Sequence, residues 1–298
     1  MRDATAMALL KRVSRSFYLS VRLLPAPMRR GICTGYLLAR ASDTLADAQK
    51  NPALLDGFAA WLDGGPPMPL PKPLPGDDGE RELLARLPEV IDQLDAMPSA
   101  EAALVRQVVA TILGGQRLDM QRFAEADGER VVTLADAAAL DDYAWRVAGC
   151  VGLFWTRLGF LVLGRRFSTM PEADLEALGI NFGKGLQLVN ILRDVSADLA
   201  VGRGYLPVSG ADDLPTAHAA WEQTARRYLA DGLTYAAAMN RKRLHIAVSL
   251  PARIGIDTLD AMRAAGPAAL RERVKIPRNR VWRHLAAAWK SSLSRGGG

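Results

Sequence analysis

The chain has 298 residues, 49% of them apolar and 23% charged, with a formal net charge of +6; no linker divides it, so residues 1–298 are expected to form a single domain with a substantial core. Cys33 and Cys150 both fall in apolar stretches and read as buried thiols rather than a disulfide, which suits a reducing cytosol. The basic clusters at 241–243 and 271–283 hold a single aromatic, Trp282, and no interleaved set, which argues against nucleic acid as a partner.

Taken in chain order, Ala4–Val13 reads as a short helix, and Ser14 as the N-cap of the next, which carries Arg15, Ser16, Phe17 and Tyr18. Free N–H groups at such a helix start suit a phosphate. Pro25 and Pro27 break the chain before a helix predicted over Met28–Ala48. Amphipathic helices are predicted at Asn51–Leu62 and Glu80–Leu94, joined by a Pro-rich surface loop over Gly64–Gly79. Ser99–Ala124 is a further helix capped by Ser99; its Gly114–Gly115 pair marks close packing or a kink, and Gln116, Asp119 and Met120 fall near one face. Thr133–Leu163 is predicted as one long helix, whose apolar run from Val147 is too short to span a membrane comfortably and reads as core. The small residues Val147–Gly152 would wall an apolar pocket. After Pro171 a helix runs through Asp198, and Arg203, Tyr205 and Pro207 follow in a loop near enough to fold back. Helices at Trp221–Met239 and Leu244–Leu259 come next, with His245 expected as a satisfied core histidine. No signal peptide is expected at the start of the chain.

Two of these helices carry polar stripes in an apolar context. Tyr36, Arg40, Asp43 and Asp47 are spaced 4, 3 and 4; Gln187, Asn190, Asp194 and Asp198 are spaced 3, 4 and 4. Each set lies along one helix face. These are the only two Asp-x-x-x-Asp pairs in the sequence, and carboxylates one turn apart on a buried helix need a cation nearby. Mg²⁺ fits, because it prefers oxygen ligands and is held by a few carboxylates plus substrate phosphates. Zinc does not, since two Cys and three His show no ligand spacing, and no P-loop motif occurs.

The chain resembles the squalene/phytoene synthase family on Ser14–Tyr18, Tyr36–Asp47, Val147–Gly149, Gln187–Asp198 and Gly202–Pro207. The resemblance implies an all-α class I isoprenoid synthase fold around a central apolar cavity, with both aspartate pairs at its mouth. It also implies catalytic roles for Tyr36, Arg40, Asp43, Asp47, Gln187, Asn190, Asp194 and Asp198. Of these, Asp43, Asp47, Asn190, Asp194 and Asp198 would hold Mg²⁺. Substrate would be bound by Ser14, Arg15, Ser16, Phe17, Tyr18, Val147, Gly149, Arg193, Arg203 and Tyr205. Arg273 and Lys275 lie in a basic Val-Lys-Ile segment similar to one associated with NADPH in squalene synthases.

One departure stands out. The family often has a tyrosine one or two residues before Val-Ala-Gly, and this chain has Trp145 and Arg146 there, with Tyr143 further back. The implied reaction is head-to-head joining of two farnesyl diphosphates, through presqualene diphosphate, to squalene with NADPH. Phytoene or dehydrosqualene synthesis without NADPH, release of presqualene diphosphate, and a non-catalytic assembly factor of the same fold stay open. The expected partners are isoprenyl diphosphates, with at most peripheral contact at the inner face of the membrane and a monomeric or weakly dimeric state.

Overall fold

A computed structural model describes residues 3–14, 17–49, 51–274, 277 and 280 of the chain; the roles expected of Arg15, Ser16 and Lys275 lie outside the described residues. Helix α1 spans Asp3–Val13, α2 Phe17–Arg22, and the first aspartate helix α3 Ala26–Gln49. Ser14 closes α1 by donating its hydroxyl to the Leu10 carbonyl at 2.7 Å. Pro27 sits in the first turn of α3, where its missing N–H costs nothing, so the helix starts earlier than the two prolines suggested.

Asn51 caps α4 (Pro52–Leu62) by accepting from the Ala53 amide at 3.0 Å. The helix expected over Glu80–Leu94 is instead two, α5 (Asp78–Ala85) and α6 (Leu87–Asp95). Pro88 cannot continue the α5 ladder and opens α6 as one of its first residues, while Asp77 and Glu80 close a reciprocal capping box at the start of α5. In α7 (Ser99–Arg122) the residue in the capping position is Pro98, not Ser99, and no side chain caps the helix.

The long helix expected from Thr133 is also divided. Val132–Thr133 is a short strand, β1, paired in parallel with β2 (Arg203–Gly204). Gly202 makes this possible with φ +81°, and a Cβ there would lie 2.2 Å from the Asp127 carbonyl. Only glycine turns the chain there. Helix α8 (Ala137–Ala144) begins after Asp136, which caps it, and passes through a π-helical turn, Trp145–Gly149, into α9 (Cys150–Leu163). Because the π turn joins α8 to α9, the helical stretch Ala137–Arg166 is long and apolar enough to cross a membrane, whereas the apolar run from Val147 alone read as too short. In this fold it packs against α7 and against α10 (Glu172–Ala200), the second aspartate helix.

Helix α10 lies along α9 and α11 (Leu214–Ala237), and α11 packs on α12 (Lys242–Ala265). The α9–α10 crossing is tight, since a Cβ on Gly152 would stand 1.9 Å from the Gly179 carbonyl and one on Gly183 would stand 2.2 Å from the Ala148 carbonyl. One apolar cluster gathers α1 to α7 and α9 with parts of α10 to α12; a second joins other parts of α10 to α12 to Leu140 on α8. His245 is buried with Nδ1 2.8 Å from the Ala236 carbonyl, as a core histidine should be. Cys33 and Cys150 are free thiols, each pushed by burial to about 12.

Candidate active site

Between α3, α7, the π turn, α9, α10 and α12 lies a cavity of about 660 Å³, within the range of small-molecule sites. Its walls are apolar and aromatic, including Phe17, Val147, Val151, Trp155 and Phe182. Polar groups gather among its lining residues from three helices and the strap: Arg40, Asp43 and Asp47 from α3, Gln116 and Asp119 from α7, Gln187 and Asp198 from α10, and Arg203 and Tyr205 from β2 and beyond.

The first stripe is delivered whole. Tyr36, Arg40, Asp43 and Asp47 all line the cavity; Tyr36 stacks on Phe17 with ring centroids 4.9 Å apart, and its hydroxyl donates to the Val13 carbonyl at 3.3 Å. The second stripe is delivered in part. Gln187 and Asp198 line the cavity, whereas Asn190 is exposed and Asp194 is turned aside. At about 100° per residue Asn190 falls roughly 60° from Gln187, at the edge of the stripe. Asp194 is held by two guanidiniums: Arg193 at 2.9 and 2.5 Å, and Arg273 with Nε at 2.7 Å.

Other expected contacts move as well. Arg193 and Arg273 do not line the cavity, and Arg273, expected at a nicotinamide, is committed to Asp194. Ser14 is buried and Tyr18 packs on the core, both outside the cavity lining. Gly149 is a packing residue, since a Cβ there would lie 3.2 Å from Lys184 Cγ on α10; Ala148, Val151 and Gly152 join Val147 in the wall instead. Trp145 and Arg146 point elsewhere, with Arg146 2.9 Å from Asp142. Tyr143, four residues before Val147, is the tyrosine that reaches the cavity, stacked on Tyr205 at 4.8 Å. The π turn between Tyr143 and α9 adds a residue to the helical register, which spacing alone did not reveal.

The carboxylates are under strain as a group. Burial pushes Asp43 up to about 6, opposed by the Gln116 amide, which donates to it at 2.5 Å, and by Arg40. Burial and the neighbouring Asp194 charge push Asp198 to about 6. Asp47 and Asp119 are also raised by burial, with Arg203 pulling both back. Carboxylates that resist ionisation are stabilised by a hard cation, so Asp43 and Asp198, both half-buried, and the more exposed Asp47 fit Mg²⁺ completed by phosphate oxygens. Among the described residues no three acidic, His or Cys groups close a metal site by themselves.

A chain whose described residues are almost entirely helical, wrapped around an apolar hollow with an acidic mouth, has the class I isoprenoid synthase fold. Solved structures agree in fold: TcSQS in complex with BPH1237 superposes with TM-score 0.80 at 21% identity over 98% of this chain and 88% of that one. A dehydrosqualene synthase superposes at 0.69 and 22% identity, over 98% and 96%. The squalene/phytoene synthase family model matches residues 10–280. The presqualene diphosphate synthase of Rhodopseudomonas palustris is 32% identical over 200 residues, 64% of this chain and 58% of that protein. The 15-cis-phytoene synthase of Synechocystis sp. is 32% identical over 206 residues, 65% and 52% respectively, so the match spans little more than half the length of either relative. The chain belongs to the squalene/phytoene synthase family, prenyl transferases that join isoprenyl diphosphates head to head.

Proposed function

We propose that the protein is a single catalytic unit that ionises farnesyl diphosphate and joins two molecules of it head to head through presqualene diphosphate. The observation that carries this reading is the convergence of Asp43, Asp47 and Asp198 from two helices at one apolar cavity. Bound Mg²⁺ would neutralise the leaving diphosphate. Arg40 and Arg203 are placed to meet the remaining phosphate charge, while the apolar wall keeps water from the allylic cation. The faces of Phe17, Tyr36 and Trp155 offer that cation their ring quadrupoles. The Tyr143 and Tyr205 phenols, both raised by burial, stay neutral at working pH and do not quench it.

Squalene, with hydride from NADPH, is the product reading that the Val-Lys-Ile segment supports. Of the two residues expected at the nicotinamide, Arg273 is paired with Asp194 and Lys275 lies outside the described residues; no reductive step is assigned to any residue. That pairing favours a second reading, in which presqualene diphosphate is released. Incubation with farnesyl diphosphate and Mg²⁺, with and without NADPH, tests both. Squalene formed only with NADPH supports the first reading, presqualene diphosphate under both conditions supports the second, and unconsumed farnesyl diphosphate refutes both.

A further inference from the structure

We infer that Asp119 is a positioning residue that holds Arg203 at the cavity mouth, aimed at the diphosphate and off the carboxylates that take the metal; this deepens the prenyl-transfer reading and rests on it. Arg203 stands on β2, a strap fixed behind by the Gly202 turn and alongside by β1. It lines the same cavity as Asp47 on α3 and Asp198 on α10. A guanidinium so placed has two competing partners that the metal also needs. Asp119 on α7 supplies a third: its Oδ2 lies 3.7 Å from Arg203 Nη1 and accepts the Tyr205 hydroxyl at 3.0 Å.

One carboxylate oxygen thus gathers both cavity-facing side chains of the strap. Tyr205 is fixed further by stacking on Tyr143 and by edge contact with Phe123, so the strap cannot slide without breaking ring packing. The Arg203 contact is longer than a hydrogen bond, which leaves its donors for phosphate oxygens. Asp194 shows the alternative outcome, a carboxylate covered by guanidiniums at hydrogen-bond distance and turned from the cavity. Asp119 Oδ1 is buried and takes no protein hydrogen bond, so this carboxylate is not explained by internal structural bonding alone.

The test is a double-mutant cycle on the full chain, read as binding of inorganic diphosphate at saturating Mg²⁺ by calorimetry. Asp119→Asn and Arg203→Gln should each weaken binding about 10-fold, equivalent to about 1.4 kcal/mol. In the Arg203→Gln background Asp119→Asn should add no more than about 2-fold, because nothing remains to be positioned. A full 10-fold loss in that background, or no loss in the wild-type background, overturns the inference. Asp119→Glu keeps the charge and should bind within about 3-fold of wild type; a 10-fold loss there also overturns it, whatever the folding of the asparagine variant. Wild-type protein that binds diphosphate but makes no prenyl product defeats the proposed function and leaves the Asp119 result standing, whereas wild-type protein that binds no diphosphate defeats both.

Discussion

Asp43→Asn should make the metal-free protein more stable while disabling it. The folded-state value of Asp43, about 6, lies above its ordinary value of 3.8, mainly because burial disfavours the charged form. The penalty is therefore absent below pH 3.8, grows as pH rises toward about 6, and is full above that. A rise of this size corresponds to about 3 kcal/mol at pH 8. Asparagine keeps an acceptor for the Gln116 amide without the charge, so a gain of about 1–3 kcal/mol is expected, or about 2–6 °C in Tm. Thermal unfolding in metal-free buffer at pH 8 measures it, and the difference should vanish when the scan is repeated near pH 4. Turnover of farnesyl diphosphate with Mg²⁺ should fall at least ~10²-fold in the same variant. A variant no more stable than wild type at pH 8 would refute the buried-charge reasoning, and wild-type turnover would refute the metal assignment.

Three further outcomes are expected. Because Asp43 and Asp198 both sit near 6, kcat/KM should fall as pH drops through that value while the Mg²⁺ requirement rises; a profile flat to pH 5 would contradict this. Gly152→Ala places a Cβ 1.9 Å from the Gly179 carbonyl and should cost about 3 kcal/mol or more in urea unfolding; a loss under 0.5 kcal/mol would mean that α9 and α10 separate freely. Arg273→Gln leaves Asp194 with Arg193 alone and should lower the Mg²⁺ concentration for half-maximal activity about 2- to 5-fold, a shift absent if Arg273 serves only a nicotinamide.

The helices and the acidic mouth were legible because their signals are local. The 4, 3, 4 spacing of Tyr36, Arg40, Asp43 and Asp47 survives folding, and all four residues line the cavity. The stripe on α10 was legible only in outline. Helical phase sets Asn190 at its edge, but the turning of Asp194 depends on Arg273, nearly eighty positions along the chain. Helix breaks at Arg86 and Asp136 were missed where apolar periodicity ran through a proline or a strand of two residues. Tyr143 was given no role because its reach depends on a π turn, and Asp119 was placed on a face with Gln116 and Met120 but not in its role, because nothing in its own helix announces that Arg203 and Tyr205 will come to it.

The glycine crossing of α9 on α10 gives the hollow one immovable jaw. Along that side backbone meets backbone, so no exchange of side chains can widen or narrow the gap. Any retuning of the space this pocket offers must then be carried by side chains that line it, such as Ala39, Ile112, Met120, Ala247 and Val248 opposite and Val147, Val151 and Phe182 beside the crossing. Variation in substrate among descendants of this sequence should collect at those lining positions, and leave the glycines of the crossing unaltered.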